Sequence, residues 1–206
     1  MKIFYKSFFK RALDLIFALV LFPFTFILFI FLAPIILLSD GSPIFYKSER
    51  LGRNGKIFWM YKFRSMTKDA VDIRNSDGST FNSKNDPRVT RIGRFLRSTS
   101  LDELPQIINV FIGDMSFIGP RPDLPEHLNT YEEMHKRKLI VRPGITGYNQ
   151  AYFRNSIEWK CRLDNDVYYA DNISFKLDCS IFLKTIQIVL LRKNVYSDNS
   201  KNEKEN

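Results

Sequence analysis

The chain has 206 residues, with 31 Lys and Arg against 22 Asp and Glu, a net charge of +9 and 45% hydrophobic residues. This composition excludes a wholly disordered chain, and the length leaves room for one soluble domain of about 150 residues plus a smaller appendage, not for two full domains. Cys161 and Cys179 form no C-x-x-C and have no histidine cluster beside them. A structural zinc site and a disulfide scaffold are therefore both set aside, and two reduced core thiols are expected. His127 and His135 are expected in surface or ordinary polar roles.

From Leu15 to Leu38 the chain carries no charged residue. At about 1.5 Å per residue, such a helix spans a bilayer core of roughly 30 Å. It is too long for a signal peptide, and no A-x-A-like cleavage site follows it. Pro23 and Pro34 lie inside the run. Proline lacks the N–H that a straight helix needs, so a break or kink is predicted at Pro23. Lys2, Lys6, Lys10 and Arg11 precede the run; Lys47, Arg50, Arg53, Lys56, Lys62 and Arg64 follow it. Cytoplasmic flanks collect Lys and Arg, so both ends are expected on that side. A helix that enters and returns through one leaflet satisfies both constraints. A kinked full span and a buried soluble helix are the alternatives. The basic surplus beside the run suits anionic lipid headgroups better than nucleic acid.

Asp40-Gly41-Ser42-Pro43 closes the membrane segment as a turn. Ile44–Tyr46 and Ile57–Tyr61 read as short strands or apolar interface segments around a turn at Gly52 to Gly55. Val71 to Asp86 is polar and turn-rich, a mobile surface loop of the length that lids have. From Pro87 the chain reads as helical, with Ile92, Phe95 and Leu96 on one face and Arg88, Arg91, Arg94 and Arg97 beside it. A second helix is predicted from Ser100, where Ser100 and Glu103 match the capping box, with an irregularity or a restart at Pro105. Glu126–Leu139 reads as a third helix, Pro143–Gly147 as a loop, and Phe175–Lys193 as an amphipathic helix that packs on the core, with a place at the membrane surface as the alternative. Ser197–Asn206 reads as a disordered tail.

Asp102 and Glu103 are adjacent carboxylates near Arg97 in sequence, and Pro120-Arg121-Pro122 holds an arginine in a rigid loop. Carboxylates beside arginines hold a divalent metal and a phosphorylated substrate together, and the guanidinium fork suits phosphate oxygens. Acidic residues in a first turn also serve as capping devices alone. Gly52-Arg53-Asn54-Gly55-Lys56 resembles a shortened P-loop, but its spacing is wrong and Ile57 replaces the required Ser or Thr. Asp164-Asn165-Asp166 matches the short D-x-D pattern of metal-dependent glycosyltransferases, which arises often by chance.

Several stretches together are more specific. Tyr61–Met66, SLDELPQIINVFIGDMSFIGPRP from Ser100 to Pro122, VRPGITGYNQ from Val141 to Gln150, Asp166–Tyr169 and Ile173–Lys184 resemble the bacterial sugar transferases, the monotopic phosphoglycosyl transferases that start membrane glycan assembly. The resemblance covers about residues 5 to 193. It implies an α-rich α+β membrane-associated domain: a Pro-broken re-entrant membrane helix over 1–40, a compact cytoplasmic catalytic domain with amphipathic helices over 41–196, and the tail over 197–206. In the family the break is often Ser-Pro; here Pro23 follows Phe22.

The resemblance also implies an activity. The family transfers a sugar phosphate from a UDP-sugar to a polyprenyl (undecaprenyl) phosphate with Mg2+, on the cytoplasmic face of the bacterial inner membrane. Asp102 and Glu103 match its dyad, with Asp102 the nucleophile and a metal ligand. Arg97, Lys62, Arg64 and the loop Pro120, Arg121, Pro122 match its phosphate-binding positions. The implied partners are the UDP-sugar donor, the polyprenyl phosphate acceptor, membrane lipids and downstream glycosyltransferases, with no nucleic acid. The alternatives are a metal-dependent glycosyltransferase that uses Asp164 and Asp166 and releases UDP, and a non-catalytic module that binds anionic lipids.

Overall fold

The computed structural model describes residues 5–73, 81, 83, 85–153 and 157–191. The expected tail, the last residues of the final helix and much of the Val71–Asp86 loop lie outside them.

The uncharged run forms helix α1, Lys10–Asp40, preceded by a wider helical turn at Tyr5–Phe9. Its 31 residues make a rod about 46 Å long, and it is the one helix among those described that is apolar and long enough to cross a membrane. The predicted break does not interrupt it: Pro23 and Pro34 both lie inside the helix. Pro23 removes only the bond to the carbonyl four residues back, and apolar surroundings offer no water to compete for the rest. Thr25 Oγ1 donates to the Leu21 carbonyl at 3.0 Å.

The middle of α1 is bare. Leu19, Val20, Phe24 and Phe31 are 64–68% exposed, a surface suited to lipid and not to water. Its two ends are buried against the rest of the chain. At the first end, Lys10 Nζ pairs with Asp178 at 2.6 Å. Arg11 donates to the carbonyls of Val110 at 2.6 Å and Phe111 at 3.1 Å. Asp14 accepts from Ser116 Oγ at 2.9 Å and from the Phe117 N–H at 3.0 Å. At the other end, Leu32 and Ile36 pack with Phe63 and Leu96. The rings of Phe29, Phe45 and Phe63 stack with centroids 5.4–6.4 Å apart.

The strands around Gly52–Gly55 form as expected and run longer. β1 (Phe45–Leu51) and β2 (Ile57–Phe63) pair antiparallel, from Phe45 opposite Phe63 to Leu51 opposite Ile57. Asn54 and Gly55 both take positive φ in the connecting turn, the conformation that Asn-Gly favours. Helix α2 is Arg91–Thr99, capped by Thr90, whose side chain accepts from the Gly93 N–H. It starts later than predicted, because Arg88 is pulled into an ion pair with Asp86 at 2.7 Å. Leu96 is buried and Phe95 points outward.

Helix α3, Gln106–Ile112, begins directly after Pro105, the restart predicted there. Its Asn109 side chain donates to the Trp59 carbonyl at 2.7 Å and accepts from the Tyr61 N–H at 3.1 Å, which fixes α3 on β2. β3 (Ser116–Ile118) pairs parallel with β4 (Gly144–Thr146), inside the stretch expected to be a loop. The expected helix over Glu126–Leu139 is two 3-10 segments, Pro125–Thr130 and His135–Ile140. Helices α4 (Tyr148–Tyr152), α5 (Trp159–Asn172) and α6 (Phe175–Leu191) complete the described chain. In α6, Ile181 and Asp178 are buried, while Phe182, Leu183, Ile186 and Leu190 are exposed, so core packing holds for one face only. The cysteines are free; Cys161 is exposed rather than in the core. His135 is buried, with Nε2 3.0 Å from Asp164, the polar rather than the surface form of the role expected for it.

The β3–β4 crossing works only with glycine. A Cβ at Gly144 would lie 2.1 Å from the Gly119 nitrogen, and one at Gly147 would lie 2.0 Å from the Gly119 carbonyl oxygen. Backbone cannot yield by that much, so Gly144→Ala is expected to destabilise by about 3 kcal/mol or to abolish folding. Gly55→Ala, with positive φ but open space around it, is expected to cost only about 1 kcal/mol. Thermal unfolding in detergent micelles would compare them; equal effects would show that the crossing is not the constraint.

Candidate active site

The dyad sits where α2 ends. Ser100 takes a left-handed conformation, φ 59° and ψ 17°, and its N–H closes the helix onto the Arg97 carbonyl. The chain reverses there into a single 3-10 turn, Leu101–Glu103. Ser100 makes no side-chain cap, so the capping-box expectation fails. The left-handed reversal displaces Ser100 from an N-cap geometry, and Glu103 turns instead to Lys62, 2.7 Å away. Leu101 and Leu104 pack beside Phe63 and Leu96, and this apolar grip directs the intervening Asp102 inward until it is 9% exposed.

Three charges act on Asp102. Burial pushes its carboxyl up to about 6, Lys62 and Arg97 oppose that shift, and Glu103 adds to it. Asp102 is thus mostly ionised at neutral pH while stripped of much of its water, the state in which a carboxylate is an available nucleophile. Arg97 is steadied by a bond from Nε to Ser65 Oγ at 2.9 Å. Ser65 lies in the Tyr61–Met66 stretch, but the sequence gives it no role, because only the fold brings it to Arg97.

The structure thus groups Lys62, Arg97, Asp102 and Glu103, and it joins Arg64 to the end of α1. Arg64 is buried at the C-terminal end of α1 and donates to the carbonyls of Asp40 at 2.9 Å and Gly41 at 2.5 Å. It lies 3.3 Å from the Asp40 carboxylate. A cation closing the negative end of a helix accounts for these contacts, and phosphate binding by Arg64 stays what the resemblance implies. Arg121 stands exposed between buried Pro120 and Pro122 on the loop after β3. Pro23, expected as the helix break, lies within α1 and away from these groups in the chain.

The neighbourhood of that loop holds a cluster that sequence reading missed. Lys138 is fully enclosed, with Nζ 2.7 Å from Asp123, 2.5 Å from Asp166 and 3.3 Å from the Arg121 carbonyl. Asp166 also accepts from Asn149 at 2.7 Å, and Tyr131 donates to Asp123 at 2.5 Å. Asp164 turns to His135. The D-x-D pair therefore serves two different partners and does not converge on one ion. In sequence, Lys138 is one cation in a polar run, with nothing local to mark it.

Mg2+ takes one or two protein carboxylates, keeps several waters and draws its other oxygens from substrate phosphates. Asp102 and Glu103 supply that kind of set. Among the described residues no group of three or more His, Cys, Asp or Glu forms a protein-only cage.

Residues 5–192 match the family model described as bacterial sugar transferase. The chain is 42% identical over 190 residues to an uncharacterized sugar transferase, EpsL, of Bacillus subtilis, covering 92% of this chain and 91% of that protein. It is 40% identical over 168 residues to the undecaprenyl-phosphate galactose phosphotransferase of Salmonella typhimurium, covering 76% of this chain and 35% of that one. It is 35% identical over 190 residues to a UDP-N-acetylgalactosamine-undecaprenyl-phosphate N-acetylgalactosaminephosphotransferase of Aeromonas hydrophila, covering 89% and 44%. The chain spans most of EpsL and less than half of the other two.

The charges around Asp102 generate a paired expectation. If the ionised carboxylate attacks, kcat/KM is retained above about pH 6 and falls as pH drops through that value. Lys62→Met removes a lowering charge and moves this acid limb upward; Glu103→Gln removes a raising one and moves it downward. A limb that stays put in both variants would exclude Asp102 as the titrating group.

Proposed function

The chain belongs to the bacterial sugar transferase family, and from that premise we propose that it transfers a sugar phosphate from a UDP-sugar to undecaprenyl phosphate. The product is an undecaprenyl-diphosphate sugar, the first lipid-linked unit of a surface glycan, and UMP is released. The observation that carries this reading is the desolvated Asp102 carboxylate held between Lys62 and Arg97, on a body fastened to both ends of a lipid-suited helix.

The two substrates come from different phases, one from water and one from the bilayer. A covalent intermediate lets them react in turn. An Asp102 oxygen attacks the sugar-bearing phosphorus of the donor. The bond from that phosphorus to the oxygen bridging it to the UMP phosphate breaks, and UMP leaves with the bonding electrons. The sugar phosphate remains on Asp102 as an acyl phosphate. A phosphate oxygen of the lipid then attacks the same phosphorus, and Asp102 departs as a carboxylate. Lys62 and Arg97 offset the charge gathered around the phosphorus in both steps. Arg121, on its rigid loop, grips donor phosphate oxygens. Glu103 holds Lys62 in place. Asp102 and Glu103 are the residues that would hold Mg2+, which when bound neutralises diphosphate charge.

The membrane reading rests on α1. A helix whose ends both pack on one body is best accommodated by insertion from one side, with both ends at the cytoplasmic face. The exposed apolar residues of α3 (Ile108, Phe111, Ile112) and α6 extend the surface offered to lipid. The rings of Phe17 in α1 and Phe182 in α6 lie 6.2 Å apart.

Wild-type protein given UDP-sugar without lipid acceptor is expected to release UMP in an amount not exceeding the enzyme and to carry sugar phosphate on Asp102. Asp102→Asn is expected to abolish turnover while remaining folded and membrane-bound. Absence of an adduct by mass spectrometry, with kinetics that require both substrates bound together, would rule out the covalent route. For topology, Lys6→Cys and Lys47→Cys, each in a Cys161→Ser, Cys179→Ser background, should react with an impermeant thiol reagent only after spheroplasts are permeabilised. Labelling of one position in intact spheroplasts would mean a full span.

A further inference from the structure

Arg121 combines an exposed side chain with a main chain pinned on three sides. The Pro120 carbonyl accepts from the Gly144 N–H at 2.9 Å, and the Asp123 carbonyl accepts from the Leu51 N–H at 2.8 Å. Between them, the Arg121 carbonyl accepts from Lys138 Nζ at 3.3 Å. The first two are backbone contacts that any sequence of this fold makes. The third is a side chain reaching from the His135–Ile140 segment, and that side chain is 3% exposed.

Lys138 is more than a filler of space. A buried ammonium is costly unless it is paired on every side, and here it has two carboxylates and a carbonyl. Asp123 belongs to the Arg121 loop; Asp166 belongs to α5 and is itself held by Asn149 of α4. Lys138 therefore ties the loop to α5 through charge, and it does so one residue from Pro122 and at the carbonyl of Arg121 itself. Tyr131 closes the group by donating to Asp123. An exposed guanidinium that must meet phosphate oxygens gains from a backbone already at rest, because less freedom is lost on binding.

We propose that Lys138 is a positioning residue for Arg121: its ion pairs with Asp123 and Asp166 hold the Pro-Arg-Pro loop so that the Arg121 guanidinium is presented to donor phosphate. This rests on the reading of Arg121 as a donor-binding residue. Lys138 does not touch the substrate, and its effect passes through Arg121 alone.

A double-mutant cycle in the full chain, reconstituted in lipid nanodiscs, tests this, with kcat/KM for the UDP-sugar as the readout. Arg121→Ala and Lys138→Met are each expected to lower it, the second by about tenfold or more. In the Arg121→Ala background, Lys138→Met is expected to lower it by less than about twofold, because the group it positions is gone. Equal losses in both backgrounds would overturn the proposal, since Lys138 would then act on the fold at large; so would an unchanged Lys138→Met enzyme. Arg121→Ala without effect would instead remove Arg121 from the donor site, a different failure that this arm reports by itself. If Lys138→Met does not fold, the same cycle with Asp166→Asn, which loosens the anchor and leaves the Asp123 pair, gives the same two readings. UMP affinity supplies a second readout: it should weaken in Lys138→Met only where Arg121 is present.

Discussion

The fastening of helix α1 at both ends to one body is the constraint on which the rest of the structure depends. A helix of this length and bareness suits lipid around its middle, since Leu19, Val20, Phe24 and Phe31 are 64–68% exposed. Yet Lys10, Arg11 and Asp14 at one end and Phe29, Leu32, Ile36 and Asp40 at the other are committed to the same domain. The polar anchors at the first end are specific: Asp14 takes both the Ser116 hydroxyl and the Phe117 N–H. At the second end, aromatic stacking and the Arg64 contact with the helix terminus do the same work. The catalytic body is thereby held at the membrane, and the proposed one-sided insertion follows from where those anchors sit.

Opposing charges are balanced around Asp102. Burial raises the carboxyl's pKa. Lys62 and Arg97 counter it, and Glu103, held by Lys62, works in the opposite sense. The outcome is a carboxyl with a pKa of about 6, ionised at neutral pH without full hydration. Each of these groups comes from a different element: Lys62 from β2, Arg97 from α2, and the dyad from the turn between α2 and α3. The left-handed Ser100 is what brings them together, because it reverses the chain directly after Arg97. Backbone held in an unfavoured region at such a junction is consistent with a functional demand on its geometry.

The cluster around Lys138 shows a different use of charge. There two carboxylates and one ammonium are enclosed together, which contributes little net stability compared with apolar packing but fixes geometry closely. Removing Lys138 would leave Asp123 and Asp166 facing each other in the interior without their shared cation. The D-x-D pattern is absorbed into this arrangement: Asp166 faces Lys138 and Asp164 faces His135. Acidic spacing that resembles a metal motif is here the trace of structural pairing.

What the sequence determined by itself was local or compositional. An uncharged run of apolar residues needs no tertiary contact to announce a membrane helix, and Asn-Gly between apolar segments is enough for a hairpin. The restart of a helix at Pro105 follows from the chemistry of one residue, and the dyad segment is legible through its resemblance to a family. The tertiary structure decided everything that depends on which distant group a side chain meets. Arg64 and Lys62 lie two residues apart, yet one closes a helix end and the other pairs with Glu103. Ser100 and Glu103 fit a capping pattern, but the chain turns left-handed at Ser100 and Lys62 offers Glu103 a stronger partner. Pro143–Gly147 reads as a loop until Ser116 and Ile118 arrive to pair with it. Lys138 is one cation in a basic run until the fold sets two carboxylates around it. Periodicity and propensity act over a few residues, whereas an ion pair between positions far apart exists only once the chain between them has folded.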